Sequence, residues 1–320
     1  MSLHSSIDTG GRSAERSLFA VLLGDGTPLL TLTGLGLILA GGFALFLSAT
    51  GSFLPHDVDY LGMTARDLCR VNQCRIVHFM IHDRVAFGGV LISIGTLYVW
   101  MAAFPLHAGE RWAWQAFAVS GLAGFSSFLC YLGYGYLDTW HGAATLVLLP
   151  LYLGGMALSS RKLGAGTLRL WPAERPGTGK ALLLLTALGQ TGAGLVIMAV
   201  GMTIVFVPED LSFIGMKTSE LAAVNPRLIP LIAHDRAGFG GGLACSGVTM
   251  WLILCNARPA LHLWQALLIA GGTGFACAII VHFSIGYTDI IHLAPAYAGG
   301  LIYAVGMWLF LRDMRQHGLQ

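Results

Sequence analysis

Charge is what this chain has least of. Only 11% of its 320 residues are Asp, Glu, Lys or Arg, 55% are hydrophobic and the mean hydropathy is +0.70, whereas a soluble domain carries roughly 25% charged residues. That shortage excludes an ordinary water-soluble domain, and a net charge of +2 gives no basis for nucleic-acid binding. Short segments of alternating hydrophobicity are missing too, which excludes a membrane β-barrel. The first 28 residues hold no signal-type apolar run with a small-residue cleavage site, and Asp8, Glu15 and Asp25 argue against an acid-poor transit peptide. Cysteine is sparse, at six residues. Cys130, Cys245, Cys255 and Cys277 fall in apolar runs as packing residues, whereas Cys69 and Cys74 share one polar loop, "DLCRVNQCRI". In an oxidising compartment a disulfide is the expectation there; zinc is the weaker alternative, because no further ligand pair stands at a familiar spacing.

What the chain does have is long apolar runs, at about 29–52, 76–104, 113–136, 139–159, 181–207, 229–256, 262–286 and 290–311. Each is near or above the roughly 20 residues that span a bilayer as a helix, so the expected fold is an all-α integral membrane protein with eight transmembrane helices. With both termini cytoplasmic, eleven of the eighteen Lys and Arg fall on the inner side and five in outer loops, as the positive-inside rule requires. A bacterial plasma membrane is the simplest location.

The chain also repeats itself. "MIHDRVAFGGV" at 80–90 returns as "IAHDRAGFGGG" at 232–242, "FLPHDVDYLGM" at 53–63 as "FVPEDLSFIGM" at 206–216, and "GYLDTWH" at 135–141 as "GYTDIIH" at 286–292. The organisation expected from this is a cytoplasmic segment 1–28, a four-helix bundle 29–159, a basic linker 160–180, a second four-helix bundle 181–312 and a tail 313–320. Two such tandem bundles facing the same way are related by a pseudo-twofold axis along the bilayer normal.

The few ionisable residues in the runs match between repeats: Asp83, Arg84 and Asp138 in the first, Asp235, Arg236 and Asp289 in the second. Charges at membrane depth cost roughly 2.5–3.5 kcal/mol each and are therefore paired or functional. One reading makes Arg84–Asp138 and Arg236–Asp289 structural pins. That leaves the histidines unexplained: His82 and His141, like His234 and His292, fall at one depth on the second and fourth helices of each bundle, an arrangement that builds a bis-histidine heme site. Small residues come next at helical spacing, Ala86 and Gly89 after His82, Gly238 and Gly241 after His234, where a flat macrocycle needs room; close helix packing explains them equally.

This pattern resembles the heme A synthase family, eight-helix proteins of two four-helix bundles with paired histidines on helices 2 and 4 and on helices 6 and 8, and a cysteine pair in the first outer loop. His82, His141, His234, His292, Cys69 and Cys74 occupy those positions. The family has His-Arg where this chain has His-Asp-Arg, and a glutamate before the first histidine where this chain has His78 and Phe79. The resemblance implies a b-type heme on His234 and His292 for electron transfer. It also implies heme O as substrate on His82 and His141, its methyl oxidised to the formyl of heme A with water-derived oxygen. Asp83 or His78 is then the acid/base candidate. The implied partners are the bilayer, an electron acceptor or donor protein or a quinone, an enzyme supplying heme O, and a second copy of the chain in a homo-oligomer.

Three rival functions remain. One is a b-type cytochrome or quinone electron-transfer protein. Another is a non-heme metal oxygenase, drawing on His78, His82, Asp138, His141 and His282. The last is a transporter whose Asp/Arg pairs line a polar path.

Overall fold

A computed structural model describes residues 23–127, 136 and 138–316. The apolar runs form α1 (Thr27–Thr50), α4 (Arg75–Met101), α5 (Arg111–Ser127), α6 (Thr139–Ser159), α7 (Thr178–Met202), α10 (Leu228–Asn256), α11 (Leu261–Ile285) and α12 (Ile290–Gln316). Two pairs of short helices, α2 (Pro55–Leu61) with α3 (Ala65–Val71) and α8 (Pro208–Ile214) with α9 (Thr218–Val224), fill segments read as plain loops from the sequence. Among the described residues seven helices are long and apolar enough to cross a membrane, so the chain is a helical multi-pass membrane protein. The run expected at 113–136 is the exception: α5 is 17 residues long, and residues 128–135, Cys130 included, lie outside the described residues.

Local chemistry sets the boundaries. Pro28 stands in the first turn of α1, where its missing N–H costs nothing, and Gly51, with φ 65°, ends the helix in the left-handed region that glycine tolerates. Thr64 and Asp67 form a reciprocal capping box on α3. Asp138 caps α6 by accepting from the Trp140 and His141 amides, at 2.8 and 3.0 Å, and Asp289 accepts from the His292 amide at 2.8 Å. The repeated Asp-x-x-His is therefore a helix start that fixes a histidine one turn from its capping carboxylate.

Two helices form the centre. In their most apolar stretches α4, with its π-helical extension Ala102–Leu106, is 67% buried and α10 is 78% buried, against 22–33% for the other candidate spans. They pack on each other; α1 and α11 pack on α4, α7 and α5 pack on α10, α6 lies on α1 and α12 on α7. The α7–α10 crossing is a backbone contact, since a Cβ on Gly240 would collide with the Met198 backbone nitrogen and one on Gly194 with that of Ala244. Helices α5 and α11 thus pack on the central helix of the opposite half. One continuous apolar core runs from Leu30 and Phe117 through Leu183 and Phe239 to Leu267 and Met307, so the halves expected as separate bundles share their interior.

A second apolar cluster, including Leu68, Phe79, Phe206, Ile214 and Leu228, lies under the short helices. The two caps hold each other: Asn225 Nδ2 donates to Leu61 O at 2.8 Å, Arg227 to Tyr60 O at 2.6 Å and Arg75 to Phe213 O at 3.3 Å. Cys69 and Cys74 are joined by a disulfide, as expected, which ties α3 to the start of α4.

Candidate metal centres

The His-Asp-Arg triplets sit near the starts of α4 and α10, where those helices leave the short-helix cap. Adjacent residues on a helix point about 100° apart, so the three side chains of a triplet reach three directions. His82 turns its Nδ1 to Asp83 Oδ1 at 2.9 Å, and His234 does the same with Asp235 Oδ1 at 3.1 Å. Asp83 and Asp235 then reach across the α4–α10 contact. Arg236 Nε donates to Asp83 Oδ2 at 3.3 Å, and Arg84 Nε to Asp235 Oδ2 at 2.8 Å. Each histidine is thus oriented by its own aspartate, and each aspartate is neutralised by the arginine of the other repeat.

The expected pins Arg84–Asp138 and Arg236–Asp289 are not formed. The second carboxylate of Arg84 is Asp57, at 2.9 Å, and that of Arg236 is Asp210, in a very short contact. Both lie on the short helices and are buried, 1% and 0% exposed. Asp57 also accepts from the Tyr136 hydroxyl at 2.6 Å, and Asp210 from the Tyr287 hydroxyl at 2.9 Å. Burial first and the adjacent carboxylate second push both phenols far above their ordinary range, so they stay protonated donors. A guanidinium flanked by two carboxylates offsets the desolvation that would exclude an unpaired charge from this interior.

The histidines meet across the repeats, which corrects the expected pairs His82–His141 and His234–His292. The His82 and His292 rings lie 5.6 Å apart, and those of His141 and His234 lie 5.0 Å apart. The cause is topological: α5 and α11 pack on the central helix of the opposite half, and the helix starts that follow them carry His141 and His292 to the rings of His234 and His82. Asp289 remains an exposed cap of α12, and His78 is half-buried on α4 outside both clusters.

The first cluster joins Asp138, His141 and His234. Asp138 Oδ2 is 3.1 Å from His141 Nδ1 and 3.9 Å from His234 Nε2, and the two nitrogens are 3.2 Å apart. Ligands on one tetrahedral ion with bonds of ~2.0–2.1 Å stand roughly 3.3 Å apart, so the three atoms are spaced to share an ion. His56 Nε2 approaches Asp138 Oδ1 at 3.0 Å from the cap. Burial opposes ionisation of Asp138, but His141, the backbone amide it accepts from, His234 and His56 together hold its carboxyl below the usual range.

The second cluster joins His82, His282 and His292, whose ligand atoms lie within 4.8 Å of one another. Its geometry dictates tautomers. His282 Nδ1 is 2.6 Å from Ala278 O and must donate to it, so its Nε2 carries a lone pair. That atom is buried without a hydrogen-bond partner, on a residue only 4% exposed. His82 likewise commits Nδ1–H to Asp83, turning its Nε2 lone pair toward the same place. A ligating histidine whose other ring nitrogen is fixed by a carboxylate or carbonyl is the usual outer support of a metal site.

The functional residues not found by sequence reasoning are Asp57, Asp210, His56, Tyr136 and Tyr287. All stand inside the repeated stretches "PHD"/"PED" and "GYLD"/"GYTD", and the repeat was their signal. No family model, curated protein or solved structure matches this chain.

Proposed function

We propose that the protein is a metal-dependent membrane oxidoreductase with two non-heme centres, one on His82, His282 and His292 and one on Asp138, His141 and His234. The observation that carries this reading is the buried, unpartnered Nε2 of His282, held in ligating form and facing two further imidazoles. Imidazole sets suit iron, copper or zinc, and two histidines with one carboxylate suit non-heme iron. Bound there, such an ion supplies Lewis acidity or one-electron chemistry. The chain's own residues do the rest. Asp83 and Asp235 orient His82 and His234, Arg236 and Arg84 balance those aspartates, and the short helices cover the sites against water. A bacterial plasma membrane as the location and an electron-partner protein or quinone belong to the same proposal; the orientation with cytoplasmic termini rests on the asymmetry of Lys and Arg.

A heme reading is second. Two axial nitrogens on one iron stand about 4 Å apart, twice a ~2.0 Å bond, with a macrocycle between the rings. Here the His141 and His234 nitrogens are 3.2 Å apart, and the ring centroids of His282 and His82, edge-on, are only 4.4 Å apart, too close for a macrocycle between them, which favours a bare ion. In favour of heme, a cavity beside His141 is lined by Gly121, Gly124, Gly238 and Gly242.

Metal analysis and an absorption spectrum of protein purified in detergent and reconstituted with Fe(II), Cu(II) or Zn(II) test the proposal. The expected result is about two equivalents of metal, falling by about one in His282→Ala and by about one in His141→Ala. A Soret band replaces this reading with the heme reading. A metal content indifferent to both substitutions overturns the two sites.

A further inference from the structure

Beside the Asp138–His141–His234 cluster lies the glycine-lined cavity, walled by α1, α4, α5, α6 and α10. Along α4 its lining runs from Ile81 and Arg84 through Phe87, Leu91 and Ile94 to Tyr98, a separation of about 25 Å at 1.5 Å per residue. Polarity is graded along that length. At the end near the short helices the lining includes Asp57, Arg84, Asp138, His141 and Asp235, and further along α1, α4 and α6 it becomes Leu37, Ala40, Leu91 and Leu148. Phe43 of α1 and Trp140 of α6 also line it and are 45% and 52% exposed on the outer face of membrane helices, so the cavity opens toward lipid. A long apolar bore with a polar end and a lateral opening fits one amphiphile in extended form.

The charges select its head group. Arg84 is the cation of the polar end, and it is committed to Asp57 and Asp235, at 2.9 and 2.8 Å. Asp138 adds a third carboxylate. One guanidinium against three carboxylates leaves an excess of two negative charges, which disfavours a carboxylate or phosphate head. A divalent ion held by Asp138, His141 and His234 brings the end to neutrality, which removes any advantage for a cationic head. The three carboxylates offer about four lone-pair sites each against the five N–H groups of one guanidinium, so the neutral end still accepts more hydrogen bonds than Arg84 supplies, and the complementary head is a neutral donor.

We infer that this cavity binds a neutral, hydroxyl-headed lipid of the quinol class, entering from the bilayer with its hydroxyl end at His141 and Asp138 and its tail along α4. The inference rests on the proposed metal at Asp138, His141 and His234, because that ion sets the charge balance. It names the substrate class of that centre.

The test uses full-length protein in nanodiscs of uncharged lipid, loaded with metal, and three probes sharing a ten-carbon tail: a decyl hydroquinone, decanoate and decylamine. Gly238 is the position to plug, because a Cβ there meets nothing within 4 Å while the residue lines the cavity; Gly238→Phe directs a ring into the bore. Thr145→Phe, which fills it from α6, guards against a folding artefact in one helix. The expected result is saturable binding of the hydroquinone, at least about tenfold tighter than either charged probe, a difference of ~1.4 kcal/mol. Each plug should weaken binding at least about tenfold with metal content unchanged. Equal or tighter binding of decanoate or decylamine overturns the head-group assignment, and hydroquinone binding indifferent to both plugs overturns the cavity. If the hydroquinone still binds and the plugs still act in protein that holds no metal, the metal proposal fails while the pocket stands.

Discussion

Replacing Arg236 by glutamine tests the crossed ion network most directly. Arg236 is 5% exposed and serves three acceptors: Asp83, Asp210 and the Val205 carbonyl, the last at 2.9 Å. Its guanidinium also lies 4.8 Å from the centre of the Phe79 ring. Glutamine keeps some length but no charge, so Asp83 and Asp210, 1% and 0% exposed, lose their common cation. Partial compensation remains, since Asp83 keeps the His82 Nδ1–H, and Asp210 keeps the Tyr287 hydroxyl and the Val207 amide. Breaking a buried pair costs about 3–5 kcal/mol, and the two surviving donors on Asp210 place the expected loss toward the lower end of that range. A control, Arg70→Gln, removes an exposed partner 3.6 Å from Asp67 and is expected to cost under ~1 kcal/mol. Unfolding in detergent, followed by helical circular dichroism against denaturant, reads both. Neutralising the two carboxylates as well, in Arg236→Met/Asp83→Asn/Asp210→Asn, should recover most of the loss, because the cost lies in the unpaired charges and not in the missing side chain. If Arg236→Gln lies within ~0.5 kcal/mol of the parent, the range of an ordinary surface change, the network is not holding α4 to α10 and the reasoning fails.

Other perturbations probe separate links. Gly240→Val should separate α7 from α10 and destabilise by about 1–3 kcal/mol or more, while Gly42→Ala, where a Cβ meets nothing within 4 Å, should be neutral or slightly stabilising; equal effects in the same unfolding assay refute the close crossing. Cys69→Ser should cost roughly 2 kcal/mol by the loop-entropy relation for so short a closure. Thiol labelling of denatured, unreduced parent protein should find neither Cys69 nor Cys74 reactive. Tyr287→Phe removes one donor from buried Asp210 and should cost about 1–3 kcal/mol while sparing metal at Asp138, His141 and His234. The Tyr287 ring lies 4.4 Å from that of His292, beside the other cluster, so loss of metal at Asp138, His141 and His234, read by metal analysis, contradicts that placement.

The sequence by itself determined the class of fold, because the energetics of apolar helices in a bilayer are local. The run at 139–159 is helix Thr139–Ser159, and that at 229–256 is Leu228–Asn256. It also determined the repeat, the four histidines that converge in space and the partners Cys69 and Cys74, since all are read from residue identity and spacing along one chain. The short helices α2, α3, α8 and α9 were half legible, since their caps at Thr64–Asp67 and Val207–Asp210 are local but seven-residue helices carry no span-length apolar run. What only the tertiary structure decided is which copy partners which. His82 stands equally well in sequence with His141 or His292, and Arg84 with Asp138, Asp57 or Asp235, because the two halves carry the same residues at the same depth. Helix periodicity fixes the face that a side chain occupies and its height. It does not fix which of two near-identical neighbours docks on that face, a choice set by the placement of α5 and α11 on the central helix of the opposite half.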